Sequence, residues 1–211
     1  MQISIIGATG RIGRRIVAEA LDRKHTVTAV ARNTREIEAD ERVTLRSADA
    51  THPEQLEEVI RDHDAVVCSI GPSRGDSPQL VQDATRALAA AAMRAHVKRV
   101  VIVGGAGSLA VKPGVELLST PEFPQEWRAI ALAHREALEL WRRVKELDWT
   151  YISPAAVIEP GTRTGKYRVG HNDLLVDAQG HSRISMEDFA VAVINEVETG
   201  AHVRERITVA Y

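Results

Sequence analysis

Short runs of Val, Ile and Ala recur at residues 3–6, 26–31, 43–46, 65–70 and 100–103, and helix-like stretches of mixed polarity separate them at 11–23, 53–61 and 78–95. Near-continuous apolar runs of this length predict strands covered on both faces. Their alternation with helices predicts a parallel sheet built from βαβ units. The second half repeats the rhythm more loosely, with a helix over 121–146, a strand over 149–153, a helix over 186–197 and a closing strand over 206–210. The fold class is α/β, a single-domain doubly wound parallel sheet with helices on both faces, spanning residues 1–211. Residues 87–92 are alanine-rich and read as a tightly packed helix, because Ala is the best helix former. Two stretches, 104–120 and 155–183, are irregular and follow the carboxyl ends of strands, where open α/β sheets bind ligands.

Composition narrows the function classes. The chain has 211 residues, 44% of them hydrophobic, and a formal net charge of -2. Folding at this length buries roughly 70% of the surface of the unfolded chain, so no cross-link or structural metal is needed. The single cysteine, Cys68, sits in Ala65-Val66-Val67-Cys68-Ser69-Ile70 and reads as a small buried hydrophobe in a cytoplasmic, reducing setting. A pI near 6.5 and 4% aromatic residues argue against a nucleic-acid partner. Arg11 interrupts the first apolar run before a signal-peptide core can form, and no stretch approaches the roughly 20 apolar residues of a membrane span. The eight histidines show no metal-ligand spacing, and no Gly-x-Ser-x-Gly elbow is present. Amphipathic helices with scattered Arg and Glu read as solvated outer faces, not membrane anchors.

The strongest chemical signal is Ile5-Ile6-Gly7-Ala8-Thr9-Gly10-Arg11-Ile12-Gly13, three glycines spaced by three between a strand and a helix. Gly7 permits a tight turn, Gly10 lets backbone approach a pyrophosphate, and Gly13 lets the helix pack closely on the strand. Free N–H groups at the helix start then face the phosphates. An ordinary Gly-rich turn is the plain alternative, but strand, motif, helix and second strand follow in order within thirty-one residues. The fold is thus a Rossmann-type, dinucleotide-binding one.

The second strand ends in Arg32, where an NAD-binding protein usually places an acid for the ribose hydroxyls. A guanidinium there suits a 2′-phosphate and favours NADP(H) over NAD(H), although a solvated loop charge is the plain reading. Arg11 offers a second positive group or faces solvent. Asp49, after the third strand, either accepts a hydrogen bond from an adenine amino group or starts the turn before Pro53.

Gly7-Ala8-Thr9-Gly10-Arg11-Ile12-Gly13, Ser69-Ile70-Gly71, Gly104-Gly105-Ala106-Gly107-Ser108 and Ser153-Pro154 resemble the atypical short-chain dehydrogenase/reductase group. Within it the chain is similar to small NAD(P)H-binding proteins related to flavin reductase/biliverdin-IXβ reductase and to NmrA-like regulators. The Tyr-x-x-x-Lys pair of the standard dehydrogenases is missing, with Ile130 in the tyrosine position and His134 in the lysine position. An isoleucine cannot transfer a proton, so ordinary alcohol dehydrogenation and sugar-nucleotide epimerisation are disfavoured. The histidine that follows the strand-end proline in the biliverdin-IXβ reductase relatives is also absent, since this chain reads Pro154-Ala155-Ala156.

His134 shares a helical stripe with Trp127, Ile130, Leu138 and Trp141, which aims it at the sheet. It is either a core-edge residue bonded to backbone or a neutral donor to the nicotinamide ribose or the substrate. Ser108 matches a position where superfamily members hold a hydroxyl near the reacting carbon, and a turn-stabilising serine is its alternative. These two are the catalytic candidates. The resemblance implies that Gly7, Thr9, Gly10, Arg11, Ile12 and Gly13 hold the pyrophosphate, and that Ser69, Ile70, Gly71, Gly104 and Gly105 flank the nicotinamide ribose. Tyr167 and His171 fall in the segment expected to cover the nicotinamide end, where each lines a pocket or is plain loop. The leading expectation is an NADPH-dependent reductase that passes hydride to a planar acceptor, a flavin or quinone, which needs no protein acid. An NADP(H)-sensing regulator of NmrA-like type and an epimerase/dehydratase-like enzyme are the alternatives. With no room for a separate substrate domain, 104–120 and 155–183 are expected to form a shallow cleft. A monomer or small homo-oligomer fits this plan.

Overall fold

The computed structural model describes residues 1–34, 41–72 and 76–211. In chain order the first half runs β1 (Gln2–Ile6), α1 (Gly13–Asp22), β2 (Thr26–Ala31), β3 (Val43–Ser47), α2 (Pro53–Ile60), β4 (Ala65–Cys68), α3 (Leu80–Arg94) and β5 (Arg99–Val103). The second half runs β6 (Ala110–Lys112), β7 (Val115–Glu116), a 3₁₀ turn (Leu117–Ser119), α4 (Gln125–Arg143), β8 (Asp148–Pro154), β9 (Val157–Glu159), β10 (Arg168–Gly170), β11 (Arg183–Ser185), α5 (Met186–Thr199) and β12 (Glu205–Ala210). The main sheet has eight strands in the order β10-β12-β8-β5-β4-β1-β2-β3, parallel except where β10 pairs antiparallel with β12. Chain progression therefore reverses at β1, and the crevice at the carboxyl ends of β1 and β4 is the expected ligand position of a doubly wound fold.

Each face of the sheet has its own core. Ile16 and Ala20 of α1 and Phe189 and Val193 of α5 pack on Ile3, Ile5, Val27, Val101 and Ile207. Leu56, Leu88, Leu138 and Trp141, from α2, α3 and α4, cover Ile6, Val66, Ile102 and Tyr151 on the other face. The Cys68 thiol is buried here, and the desolvation pushes its pKa up to about 11, so it is an inert core group. Helix ends follow local chemistry. Ser185 Oγ accepts the Asp188 N–H to start α5, and Gly200 at φ 56° ends it. The helix expected over 121–146 is shorter at both ends, because Pro124 and Val144 are extended. No helix among the described residues is long and apolar enough to cross a membrane.

The segment 155–183 is more ordered than its composition suggests. β9 pairs with β11, β10 extends the main sheet, and Glu19 of α1 accepts two hydrogen bonds from Arg163, at 2.7 and 2.9 Å. Asp188 accepts the Thr164 and Gly165 amides at 2.8 and 2.7 Å. These contacts pin residues 163–165 to the α1/α5 side of the sheet.

A buried ion pair ties β5 to α5. Arg99 Nη2 donates to Glu196 Oε1 at 2.8 Å and its Nη1 to Thr150 Oγ1 at 2.8 Å, while Glu196 Oε2 meets His202 Nδ1 at 2.8 Å. Removing the acid would strand a buried guanidinium, so Glu196→Ala is expected to lower the unfolding free energy by about 3–5 kcal/mol in urea titrations. The more exposed Arg15–Glu187 pair is the comparison, and Glu187→Ala should cost only about 1 kcal/mol.

Candidate dinucleotide and acceptor site

The glycine turn is built by contacts that no side chain could survive. Gly7 has φ 83°, its N–H donates to Val30 O at 2.9 Å, and a Cβ on it would lie 2.5 Å from Ser69 O. A Cβ on Gly13 would lie 2.0 Å from Gly7 O. α1 therefore begins hard against the turn. The amides of Thr9, Arg11 and Ile12 have no backbone acceptor among the described residues, and α1 has neither a side-chain cap nor an acid in its first turn. Uncapped N–H groups at the positive end of a helix form an anion site. Arg11 is exposed beside them, with its backbone carbonyl accepting from Arg15 Nη1 at 2.7 Å. Gly13 packs below the turn, and Ile12 is half-buried against the α1 face of the core.

From this turn a groove of about 110 Å³ runs across the carboxyl ends of β1, β2, β3 and β4. Gly7, Thr9, Gly10, Arg32, Asp49, Ser69, Ile70 and Gly71 all line it. Arg32 is 62% exposed and its Nη2 donates to Asp76 Oδ2 at 3.2 Å, a surface pair that a phosphate can displace at little cost. Asp49 Oδ1 accepts from the Thr51 amide at 2.9 Å and the Thr51 hydroxyl at 2.7 Å, and these bonds hold its carboxyl below the usual carboxylate range. The turn-forming role is thus present, and Asp49 also lines the groove.

One strand further on, Gly104 and Gly105 make room for two side chains. A Cβ on Gly104 would lie 2.0 Å from the Tyr151 ring, and one on Gly105 would lie 3.0 Å from His134 Cβ. Tyr151, in the middle of β8, donates its hydroxyl proton to His134 O at 2.9 Å. Its second contact, to His134 Nδ1 at 3.1 Å, then requires Nδ1 to carry the imidazole proton. His134 Nε2 is left as an acceptor with no hydrogen bond among the described residues. Burial pulls the His134 pKa down to about 4, so the ring is neutral, and burial also pushes the Tyr151 phenol well above its ordinary range. The His134 ring therefore meets a side-chain hydroxyl and no backbone group among the described residues, while its own carbonyl takes the Tyr151 proton and Nε2 stays open as an acceptor. Sequence reasoning passed over Tyr151. The signal was its place opposite Ile102 of β5, two residues before the glycine pair.

Ser108 points elsewhere. Its Oγ and carbonyl accept from Arg206 Nη1 at 3.0 and 3.1 Å, and it lines a cavity of about 640 Å³ that His134 does not line. The segments 104–120 and 155–183 do meet, through Ala110 N to Asn172 O and Leu174 N to Ala110 O, both 2.8 Å, and together with α4 they wall that cavity. Tyr167 packs on the α1/α5 core and its hydroxyl meets Asn195, while His171 is exposed near Glu205 and His202. Neither lines the groove. The α4 stripe holds for Leu138 and Trp141, which are buried, but Trp127 is 55% exposed, and the buried residues of α4 begin at Ala131.

Comparisons with known proteins agree with this geometry. Residues 7–197 match the family model described as NAD(P)H-binding. The chain is 40% identical to the uncharacterized protein YwnB of Bacillus subtilis (strain 168), over 99% of this chain and 98% of that protein. It is 37% identical to a candidate epimerase from Bacteroides thetaiotaomicron, with a TM-score of 0.92 over 100% of this chain and 96% of that one. It is 31% identical to a candidate NADH-flavin reductase from Streptococcus pneumoniae TIGR4, with a TM-score of 0.90 over 100% and 99% of the two chains. A family match over most of the chain, a full-length relative and a tightly packed glycine turn between strand and helix lead to one assignment: this chain belongs to the NAD(P)H-binding family, within the atypical short-chain dehydrogenase/reductase group.

Proposed function

We propose that the chain is an NADPH-dependent reductase that delivers hydride to a planar, electron-poor acceptor, a flavin or a quinone. The observation that carries this reading is the state of the two groups above the Gly104–Gly105 ledge. The proton on His134 is committed to Tyr151 and the phenol proton to His134 O, so neither is available to an acceptor. An acceptor that delocalises the incoming charge and takes its proton from water has no use for one. Epimerisation, the activity attached to the Bacteroides neighbour, needs a proton relay that these residues do not offer. The Streptococcus neighbour's name is in keeping with a flavin acceptor.

In this reading the amides of Thr9, Arg11 and Ile12 hold the pyrophosphate, Arg32 leaves Asp76 for the 2′-phosphate, and Ser69, Ile70 and Gly71 border the nicotinamide ribose. His134 Nε2 accepts a hydrogen bond from a hydroxyl of that ribose and fixes the ring above the ledge. When bound, the reduced nicotinamide supplies the hydride. Trp127 lies seven residues, about two turns, before His134 on the same helical face and offers the acceptor a flat surface. The protein's work is to align two rings and exclude competing paths, not to transfer a proton.

The direct test mixes protein and NADPH with FMN, FAD or a quinone and follows loss of nicotinamide absorbance. Turnover well above the uncatalysed rate is expected. Tight NADPH binding with no turnover across these acceptors would instead favour the sensing protein. Arg32→Ala should raise the Kd for NADPH by roughly tenfold or more while leaving NADH nearly unchanged, and an equal loss for both would refute the 2′-phosphate role.

The neutrality of His134 has a thermodynamic signature. Its pKa falls from 6.5 to about 4 on folding, so above pH 6.5 neither state binds a proton there. Between pH 6.5 and about 4 the unfolded chain binds a proton that the folded chain refuses, and stability falls as the pH drops. Urea unfolding at several pH values should show a shallower acid loss in His134→Gln than in the parent.

A further inference from the structure

Burial opposes the charge of two arginines, the largely covered Arg99 and the buried Arg206, and they differ in how that charge is met. Arg99 has the Glu196 carboxylate at 2.8 Å. Arg206, only 8% exposed, has neutral oxygens alone. Its Nη1 donates to Ser108 O and Oγ at 3.1 and 3.0 Å. Its Nε and Nη2 donate to Asn172 Oδ1 at 3.0 and 2.8 Å, and Nη2 also reaches Asn172 O at 3.4 Å. No carboxylate lies in ion-pair reach of it among the described residues. Neutral oxygens satisfy the donors without cancelling the charge, and a buried charge without a counter-ion is costly. The neighbouring Arg142 guanidinium adds repulsion to the burial, while Glu116 and Asp173 attract from a distance.

This charge forms one wall of the cavity of about 640 Å³ between α4, the β6–β7 hairpin and β12. Arg135 and Arg142 line the α4 side, each tied to a glutamate on the rim, Glu116 and Glu139. Three arginines thus face two glutamates, and the unmatched one is the buried one. Both rim pairs are substantially exposed, so their guanidiniums can turn to a ligand at little cost.

We propose that this cavity is a binding site for a small organic dianion bearing carboxylate or phosphate groups, seated on Arg206 and closed by Arg142 and Arg135. An anionic oxygen taking the place of Ser108 Oγ or Asn172 Oδ1 gives the guanidinium a charge-assisted bond, about twice as strong as a neutral one. The cavity shares no lining residue with the dinucleotide groove, so both sites fill together. Occupancy is sensed by Ser108, in the turn after β5, and by Asn172, in the segment 155–183. The site stands on this geometry whether or not the hydride acceptor is a flavin.

The test keeps the dinucleotide groove filled with saturating nicotinamide dinucleotide, so that added phosphate cannot enter it. Citrate and, separately, inorganic phosphate are then titrated at constant ionic strength by isothermal calorimetry. Saturable binding of one anion per chain is expected, and whichever probe binds more tightly identifies carboxylate or phosphate as the preferred chemistry. Arg142→Ala and Arg206→Gln should each weaken that binding roughly ten- to a hundredfold. Arg86→Ala, on α3 and outside the cavity, should leave it unchanged. If Arg206→Gln does not fold, the half-exposed Arg142 carries the decision. Absence of saturable binding for both probes, or equal affinity in the parent and Arg142→Ala, would overturn the proposal.

Discussion

The closeness of Gly13 to the carbonyl of Gly7 is the constraint from which the site follows. With 2.0 Å between that oxygen and a hypothetical Cβ, only glycine lets α1 start at this point against the end of β1. That start leaves the Thr9, Arg11 and Ile12 amides without a backbone acceptor among the described residues, at the centre of the sheet where strand order reverses. Ser69 closes the arrangement from β4, with its carbonyl where a Gly7 side chain would be. The pyrophosphate recognition proposed for this turn would thus be a by-product of close backbone packing, with no charged side chain at its centre.

A second glycine pair plays the same steric part for chemistry. Gly104 admits the Tyr151 ring and Gly105 admits His134, and the two side chains then fix each other's protons. The outcome is a neutral imidazole with one open acceptor nitrogen, packed against the turn that follows β5. Where the standard dehydrogenases use a tyrosine activated by a lysine, this chain has an isoleucine, a histidine that carries no charge and a phenol locked in the core. In the proposed reductase such a site would position and shield its reactants, and the burden of charge stabilisation would pass to the acceptor.

How much of this was legible in the sequence depends on the range of the interaction. Gly7, Gly10 and Gly13 are legible because backbone sterics dictate residue type within one turn, and the central strands are legible because cover on both faces leaves few polar positions, whereas the edge strand β3 is mostly exposed. Arg32, Asp49 and Ser69 could be placed because each lies within two residues of the end of a strand that the fold positions. Tyr151 could not, since its role arises from register across β5 and β8 and from a helix seventeen residues earlier. Ser108 is a similar case. Its local motif suggested a catalytic hydroxyl, but Arg206, ninety-eight residues away, takes its oxygens. The three-residue strands β9, β10 and β11 are too short for period-two patterning to register, and Trp127 keeps the stripe's phase but lies in the exposed first turn of α4.

The central claim is that hydride moves without a proton from the protein. It is tested most directly by single-turnover oxidation of NADPH by FMN in stopped flow, comparing NADPH deuterated at the transferred position with ordinary NADPH, each in H₂O and in D₂O. The account predicts that deuterating the nicotinamide slows the reaction while changing the solvent does not. A solvent effect as large as that of the nicotinamide, abolished in His134→Gln, would contradict it by showing that a protein proton moves in the same step.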